Sequence, residues 1–312
     1  KTFSDYKKNI DNDIRTIIHY GVNVACYKFP FLQTILDYAS RDITHIKREE
    51  LAKPFVEKII KHIVSWLKQY SNLSKTKGFV IGISGGIDSA VASVLGAKTG
   101  LPLLCIEMPI HQSATQVERA SNHVKWLKND YANVSAMEIN LTPLFDSFIA
   151  LMPKSKTEET TERALINTRA RIRMTTLYYF AQLNNYLVLG TGNKVEDFGI
   201  GFFTKYGDGG VDLSPIADLT KSEIFTLGKK LNIIEDIQSA RPTDGLWNDD
   251  RTDEDQIGAT YPELEWAMRY SENNNNITAR EKEVLAIYKR LREVNSHKMK
   301  EIPVCSIPEE LK

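Results

Sequence analysis

Cysteine is scarce in this chain: Cys26, Cys105 and Cys305 stand alone, far apart, among 312 residues. With no C-x-x-C pair and no Cys/His set at ligand spacing, neither a disulfide framework nor a structural zinc site organises the fold, and three reduced thiols are expected. An excess of either charge is also missing. The 40 basic side chains match the 40 acidic ones, so no global field draws the chain to nucleic acid or an anionic membrane, and any polyanion must meet a local cluster of cations. No apolar run approaches the ~20 residues that span a bilayer, and Lys1–Ile10 lacks an apolar signal core. A soluble, cytoplasmic protein with no membrane or nucleic-acid partner is expected.

What the chain does have is hydrophobic residues, 42% of the total, enough for a substantial core. The first 75 residues read as helices. Ile14, Ile17 and Ile18, then Phe31, Ile35 and Leu36, recur at helical spacing, and Leu51, Phe55, Ile59, Ile60, Ile63, Val64 and Leu67 make a stronger stripe. Residues 1–46 are expected to be a helical N-terminal extension and residues 47–312 the main domain. From Lys77 the pattern alternates. Short apolar runs at Gly78–Ile83, Leu103–Met108, Val134–Ile139 and Tyr186–Leu189 read as strands. Helices are expected at Ala90–Lys98, Gln116–Lys128, Glu162–Asn184, Lys221–Leu231, Pro262–Tyr270 and Ala279–Asn295. Strands alternating with crossover helices predict an α/β fold with a doubly wound, Rossmann-like parallel sheet, whose ligands sit beyond the carboxyl ends of the strands.

Glycine and hydroxyl residues gather just after the first and fourth of those strands. Ser84-Gly85-Gly86-Ile87-Asp88-Ser89 lies between a buried strand and a helix. Its glycines let backbone N–H groups converge, the helix N-terminus adds positive potential, and Ser84 and Ser89 add hydroxyls. No lysine closes the turn, so this is not the G-x-x-x-x-G-K-[ST] loop. The hexapeptide resembles the S-G-G-x-D-S pyrophosphate loop of the ATP pyrophosphatases, an adenine nucleotide alpha hydrolase-like fold. There it grips the β,γ-pyrophosphate that leaves when a substrate is adenylated.

The second half narrows the resemblance. Gly190-Thr191-Gly192-Asn193-Lys194-Val195-Glu196, Gly201–Asp212 with its Thr204-Lys205-Tyr206-Gly207-Asp208-Gly209-Gly210 core, Pro215–Lys221, Pro242–Trp247, Thr252–Asp255 and His297-Lys298 are similar, in order, to the signature of the ammonia-dependent NAD synthetases. The resemblance covers about residues 55–305. It implies that Asp88 and Glu196 hold Mg²⁺ on the phosphates, and that Gly82, Ile83, Ser84, Gly85, Gly86, Ile87, Asp88, Ser89, Thr191, Lys221 and Thr243 contact ATP. It places Arg171, Lys205, Asp212, His297 and Lys298 on deamido-NAD. In the run Arg169–Arg173 the family pattern A-R-x-R selects Arg171, with Arg173 second. Glu196 to Lys205 is one residue longer than in the family pattern, so Asp197 competes with Glu196 for the metal.

The resemblance further implies that the deamido-NAD carboxylate attacks the α-phosphorus of ATP. Pyrophosphate leaves, and ammonia then displaces AMP from the acyl adenylate. Asp88, Asp212 and Lys221 are the catalytic candidates, and Asp212 or Asp208 is expected to take the proton from ammonium. Some family members carry a fused glutaminase domain, but the residues before the motifs are too few for one, so free ammonia, or ammonia from a separate donor protein, is expected. The family is dimeric. Nicotinate mononucleotide is the alternative substrate. A tRNA-modifying adenylating enzyme is the rival from another class; it should carry a basic face or an extra RNA module, and the neutral net charge and the Thr204–Gly210 segment argue against it.

Overall fold

The structure, a computed structural model, describes residues 48–153, 157–242, 252–271 and 277–312, without the side chains of residues 48–54 and 158. The helical stripes expected before residue 47, Cys26 and the expected 46/47 boundary lie outside the described residues. Two compact units divide the chain, 1–62 and 63–312. The described part of the first is the start of α1 (Arg48–Leu73).

The second unit carries a parallel sheet of four strands among the described residues: β1 (Gly78–Gly82), β2 (Leu103–Glu107), β3 (Val134–Glu138) and β4 (Tyr186–Val188). Their order in space is β3-β2-β1-β4. Phe79 pairs with Leu103, Leu103 with Val134, and Gly78 with Tyr186. The chain winds outward from β1 to β3, then returns to the far side of β1 as β4. The winding therefore reverses between β1 and β4, and a ligand crevice opens beyond their carboxyl ends.

The helices cover both faces. Small residues let α2 (Ile87–Ala97) lie almost wholly buried: a side chain on Gly96 would meet the Leu103 and Leu189 methyls at 3.3 and 3.0 Å. On the opposite face Val80, Leu104, Ile106 and Val188 pack with Phe145 of α4 (Thr142–Leu151) and with Ile172 and Phe180 of α5 (Glu158–Asn184). Burying each such side chain contributes about 1.5–3 kcal/mol. α3 (Ala114–Asp130) flanks β2 and β3. The sequence reading has no counterpart of α4, whose TPLFDSFIAL run buries Phe145 but leaves Leu144, Ile149 and Leu151 exposed, so its apolar residues mark no single face. All six expected helices are observed within a few residues of their expected bounds, and three of them, α6 (Lys221–Lys230), α9 (Tyr261–Arg269) and α10 (Ala279–Met299), begin alike. Each starts at a threonine whose side chain and a glutamate three residues on cap each other reciprocally, satisfying orphan amides. Two short helices, α7 (Glu235–Gln238) and α8 (Asp253–Ile257), also lie outside the expected set.

Candidate active site

β1 ends at Gly82 and the chain turns into α2 at Gly86. The helix starts three residues before its expected first residue, so Asp88 and Ser89 belong to its first turn. Hydroxyls shape the loop. The Gly86 amide donates to Ser84 Oγ at 3.2 Å, the Ser84 amide to Ser89 Oγ at 3.3 Å, and Ser89 Oγ to the Gly86 carbonyl at 3.0 Å. Gly85 needs its missing side chain twice over: φ is +82°, and a Cβ would stand 2.9 Å from the Gln116 carbonyl oxygen of α3.

The chain after β4 meets this loop from the neighbouring strand. Asn193, fully buried, accepts at Oδ1 from the Val195 and Glu196 amides, both at 3.0 Å, and donates through Nδ2 to Asp88 Oδ1 at 3.2 Å. One side chain thus caps the turn that carries Glu196 and orients the aspartate of the other loop. The turn itself, Lys194–Ile200, is π-helical. A wide turn of this kind takes one residue more than an α-turn, and it overlaps the interval from Glu196 to Lys205. Gly192 lies against Asp197, and a side chain there would run into that carboxylate.

Lys221, the first residue of α6, closes the site. Its Nζ donates to Asp88 Oδ2 at 2.6 Å and to Glu196 Oε1 at 2.9 Å, with the lysine side chain only 4% exposed. Burial alone would lower the ammonium pKa, but the two carboxylates reverse that and hold it well above the usual lysine value. Burial raises the Asp88 carboxyl, with Lys221 opposing. At Glu196 the same burial is overcome by Lys221 and by the Tyr261 hydroxyl, and the carboxyl falls below its usual range. The Tyr261 hydroxyl is 2.5 Å from Glu196 Oε1 and 3.1 Å from Asp253 Oδ2, and its ring lies under Lys221, 4.8 Å from Nζ to the centroid. Asp197 faces the same cavity, and burial, then Asp208, Glu196 and Asp88, push its carboxyl well above the usual range. The carboxylate that shares Lys221 with Asp88 is therefore that of Glu196, not Asp197.

These groups border a cavity of about 280 Å³. Gly82–Ser89, Thr191, Glu196 and Lys221 all line it; Thr243 lies outside the described residues. Arg173 lines it too, donating to the Met108 carbonyl at 3.0 Å and to Gln112 Oε1 at 2.9 Å. Burial, then Arg169, brings its pKa down to about 10. Arg171 is exposed, does not line this cavity, and donates to the Lys205 carbonyl at 3.3 Å. Lys205 Nζ donates to the His297 carbonyl at 2.9 Å, and Lys298 Nζ to the Phe203 carbonyl at 2.8 Å. Arg171, Lys205, His297 and Lys298 thus gather around residues 203–206. Asp212 stands apart, accepting from the Tyr178 hydroxyl at 3.0 Å and the Val188 amide at 2.8 Å. Asp208 lines the cavity, accepts from the Thr204 amide at 3.0 Å, and is raised by desolvation. Asn193, Tyr261 and Asp253 have no role in the sequence reading. Asn193 and Asp253 fall in matched signature segments, Asn193 also as a capping residue ahead of a helical turn, whereas Tyr261 falls in none.

Two loops at the reversal point of a parallel sheet, one a hydroxyl-lined glycine turn and the other carrying a carboxylate, converge on one buried lysine. That fold and site define a pyrophosphate-loop α/β nucleotide enzyme. The chain belongs to the NAD synthase family, whose model matches residues 59–302. It is 34% identical over 247 residues to the NH(3)-dependent NAD(+) synthetase of Carboxydothermus hydrogenoformans, covering 77% of this chain and 93% of that one. Among solved structures it is similar to the NMN synthetase from Francisella tularensis, with TM-score 0.71, 31% identity, and 81% and 99% of the two chains covered. It is also similar to the NH3-dependent NAD synthetase from Campylobacter jejuni, with TM-score 0.64, 27% identity, and 80% and 99% covered.

Proposed function

We propose that the chain converts the nicotinate carboxylate of deamido-NAD into the amide of NAD, using ammonia and ATP. The observation that carries this reading is Lys221 joining Asp88 and Glu196 where the two loops meet, in a chain whose curated relatives are NH(3)-dependent NAD(+) synthetases. A carboxylate resists attack by ammonia because oxide is a poor leaving group. Its attack on the α-phosphorus of ATP forms an acyl adenylate, releases pyrophosphate and makes AMP the leaving group of the second step. The protein supplies position and charge: the glycine turn at the N-terminus of α2 and the Lys221 ammonium face the phosphates as negative charge shifts onto them.

Mg²⁺ fits this site by donor chemistry. Asp88 Oδ2 and Glu196 Oε1 already converge on one cation, and magnesium favours one or two carboxylates with phosphate oxygens and water completing its shell. When bound, it neutralises phosphate charge. Among the described residues no group of three or more His, Cys, Asp or Glu side chains could hold a metal ion, so the phosphates are part of the site in this reading. Thr191 faces ATP from the cavity wall, and Thr243 is assigned to ATP on the family pattern alone. Arg171, Lys205, His297 and Lys298 take the dinucleotide. Of the two candidates for removing the ammonium proton, Asp208 is favoured. It lines the cavity with a raised pKa, whereas Asp212 holds Tyr178 and the β4 backbone. Synthetase domain 47–312, a helical extension before it, a homodimer and a cytoplasmic setting complete the reading. Among the described residues no helix is long and apolar enough to cross a membrane.

The likeness to an NMN synthetase favours one second reading, amidation of nicotinate mononucleotide by the same chemistry. Competition between the two acids in one tube separates them. The dinucleotide should win by at least about tenfold in kcat/KM, a difference of 1.4 kcal/mol. Faster amidation of the mononucleotide at equal concentration would transfer the assignment to the second reading.

A further inference from the structure

α3 contributes a further cation to the cavity. Arg119, in the second turn of that helix, lines the cavity, and its stem backs directly onto the phosphate loop. A side chain on Gly85 would begin 3.4 Å from the Arg119 Cβ. The Arg119 Nε is buried with no hydrogen-bond partner among the described residues, and a buried donor left unpaired costs about 1–3 kcal/mol. The neighbouring cations are engaged. Lys221 is divided between two carboxylates, and Arg173 is held by the Met108 carbonyl and Gln112.

We propose that Arg119 is a catalytic residue that binds the β,γ-phosphates of ATP and receives the departing pyrophosphate. This rests on the adenylating reading above. As the substrate carboxylate oxygen bonds to the α-phosphorus, the bond to the bridging oxygen breaks and its electron pair stays on pyrophosphate. Charge then builds on the phosphate end of the loop, where a planar guanidinium donates two parallel hydrogen bonds.

The test compares the full chain with its Arg119→Gln and Arg119→Lys variants, measuring inhibition by inorganic pyrophosphate and by AMP. In Arg119→Gln the inhibition constant for pyrophosphate should rise at least about tenfold, the loss expected for a charged hydrogen bond, with that for AMP unchanged. Arg119→Lys should recover part of the difference. Unaltered pyrophosphate inhibition in Arg119→Gln would overturn the proposal. So would a parallel loss for AMP and pyrophosphate, which marks a residue that only shapes the loop. If the unmutated chain forms no AMP and is not inhibited by pyrophosphate, the adenylating reading itself falls, before any variant is compared.

Discussion

Lys221 decides more of this site than any other single side chain. It is a buried cation between two carboxylates, and removing one member of such a set leaves the others uncompensated. Lys221→Met should lower turnover about 10²–10³-fold at saturating ATP, the range for loss of one preorganised electrostatic donor. It should also cost about 3–5 kcal/mol of stability, because Asp88 and Glu196 would then face each other without their counter-ion. Steady-state kinetics and urea unfolding measure the two effects separately, and near-normal turnover in a folded variant would remove Lys221 from the chemistry. Its place was legible from sequence through the run Pro215–Lys221, and so were Asp88 and Glu196. Tyr261 was not legible. It lies 65 residues from the glutamate it bonds, its neighbours Thr260 and Pro262 announce only a helix start, and nothing local ties its hydroxyl to a distant carboxylate.

Helices α2 and α3 share a buried polar contact. His123 of α3 is fully buried, with Nε2 2.9 Å from Ser93 Oγ of α2, and burial brings its pKa down to about 4. The fold therefore accommodates the neutral ring. Because the folded pKa lies below the unfolded value, this contribution is complete above ~6.5 and is lost as pH falls toward 4, by about 3 kcal/mol in all. The denaturation midpoint of the chain should drop between pH 7 and 4 more steeply than that of His123→Asn. Parallel pH profiles would show that the imidazole is not the source. The major strands and helices were readable because their apolar runs are short and bounded, or periodic over several turns. The π-helical turn at Lys194–Ile200 was not, since a one-residue excess in a motif names no conformation. What selects the wide turn is Asn193 capping it and Val195 and Ile200 packing into a cluster with Tyr261, Leu264 and Val284.

For the whole molecule, the order of the strands makes the site. With β1 beside β4, residues more than a hundred positions apart, Asp88 and Asn193, are brought into hydrogen-bond contact. The sequence reading reached that arrangement by expecting ligands beyond parallel strands and finding glycine-rich segments after the first and fourth. The family resemblance, rather than any local pattern, grouped Arg171, Lys205, His297 and Lys298, since α10 reaches residues 203–206 through packing that no local pattern records. The account stands or falls on the adenylate. Deamido-NAD labelled with ¹⁸O in its carboxylate should be turned over with ammonia and ATP, and the products analysed by mass spectrometry. The account predicts one ¹⁸O in the AMP released and none in pyrophosphate. Label recovered in orthophosphate alongside ADP would mean that the carboxylate attacks the γ-phosphorus, and would contradict it.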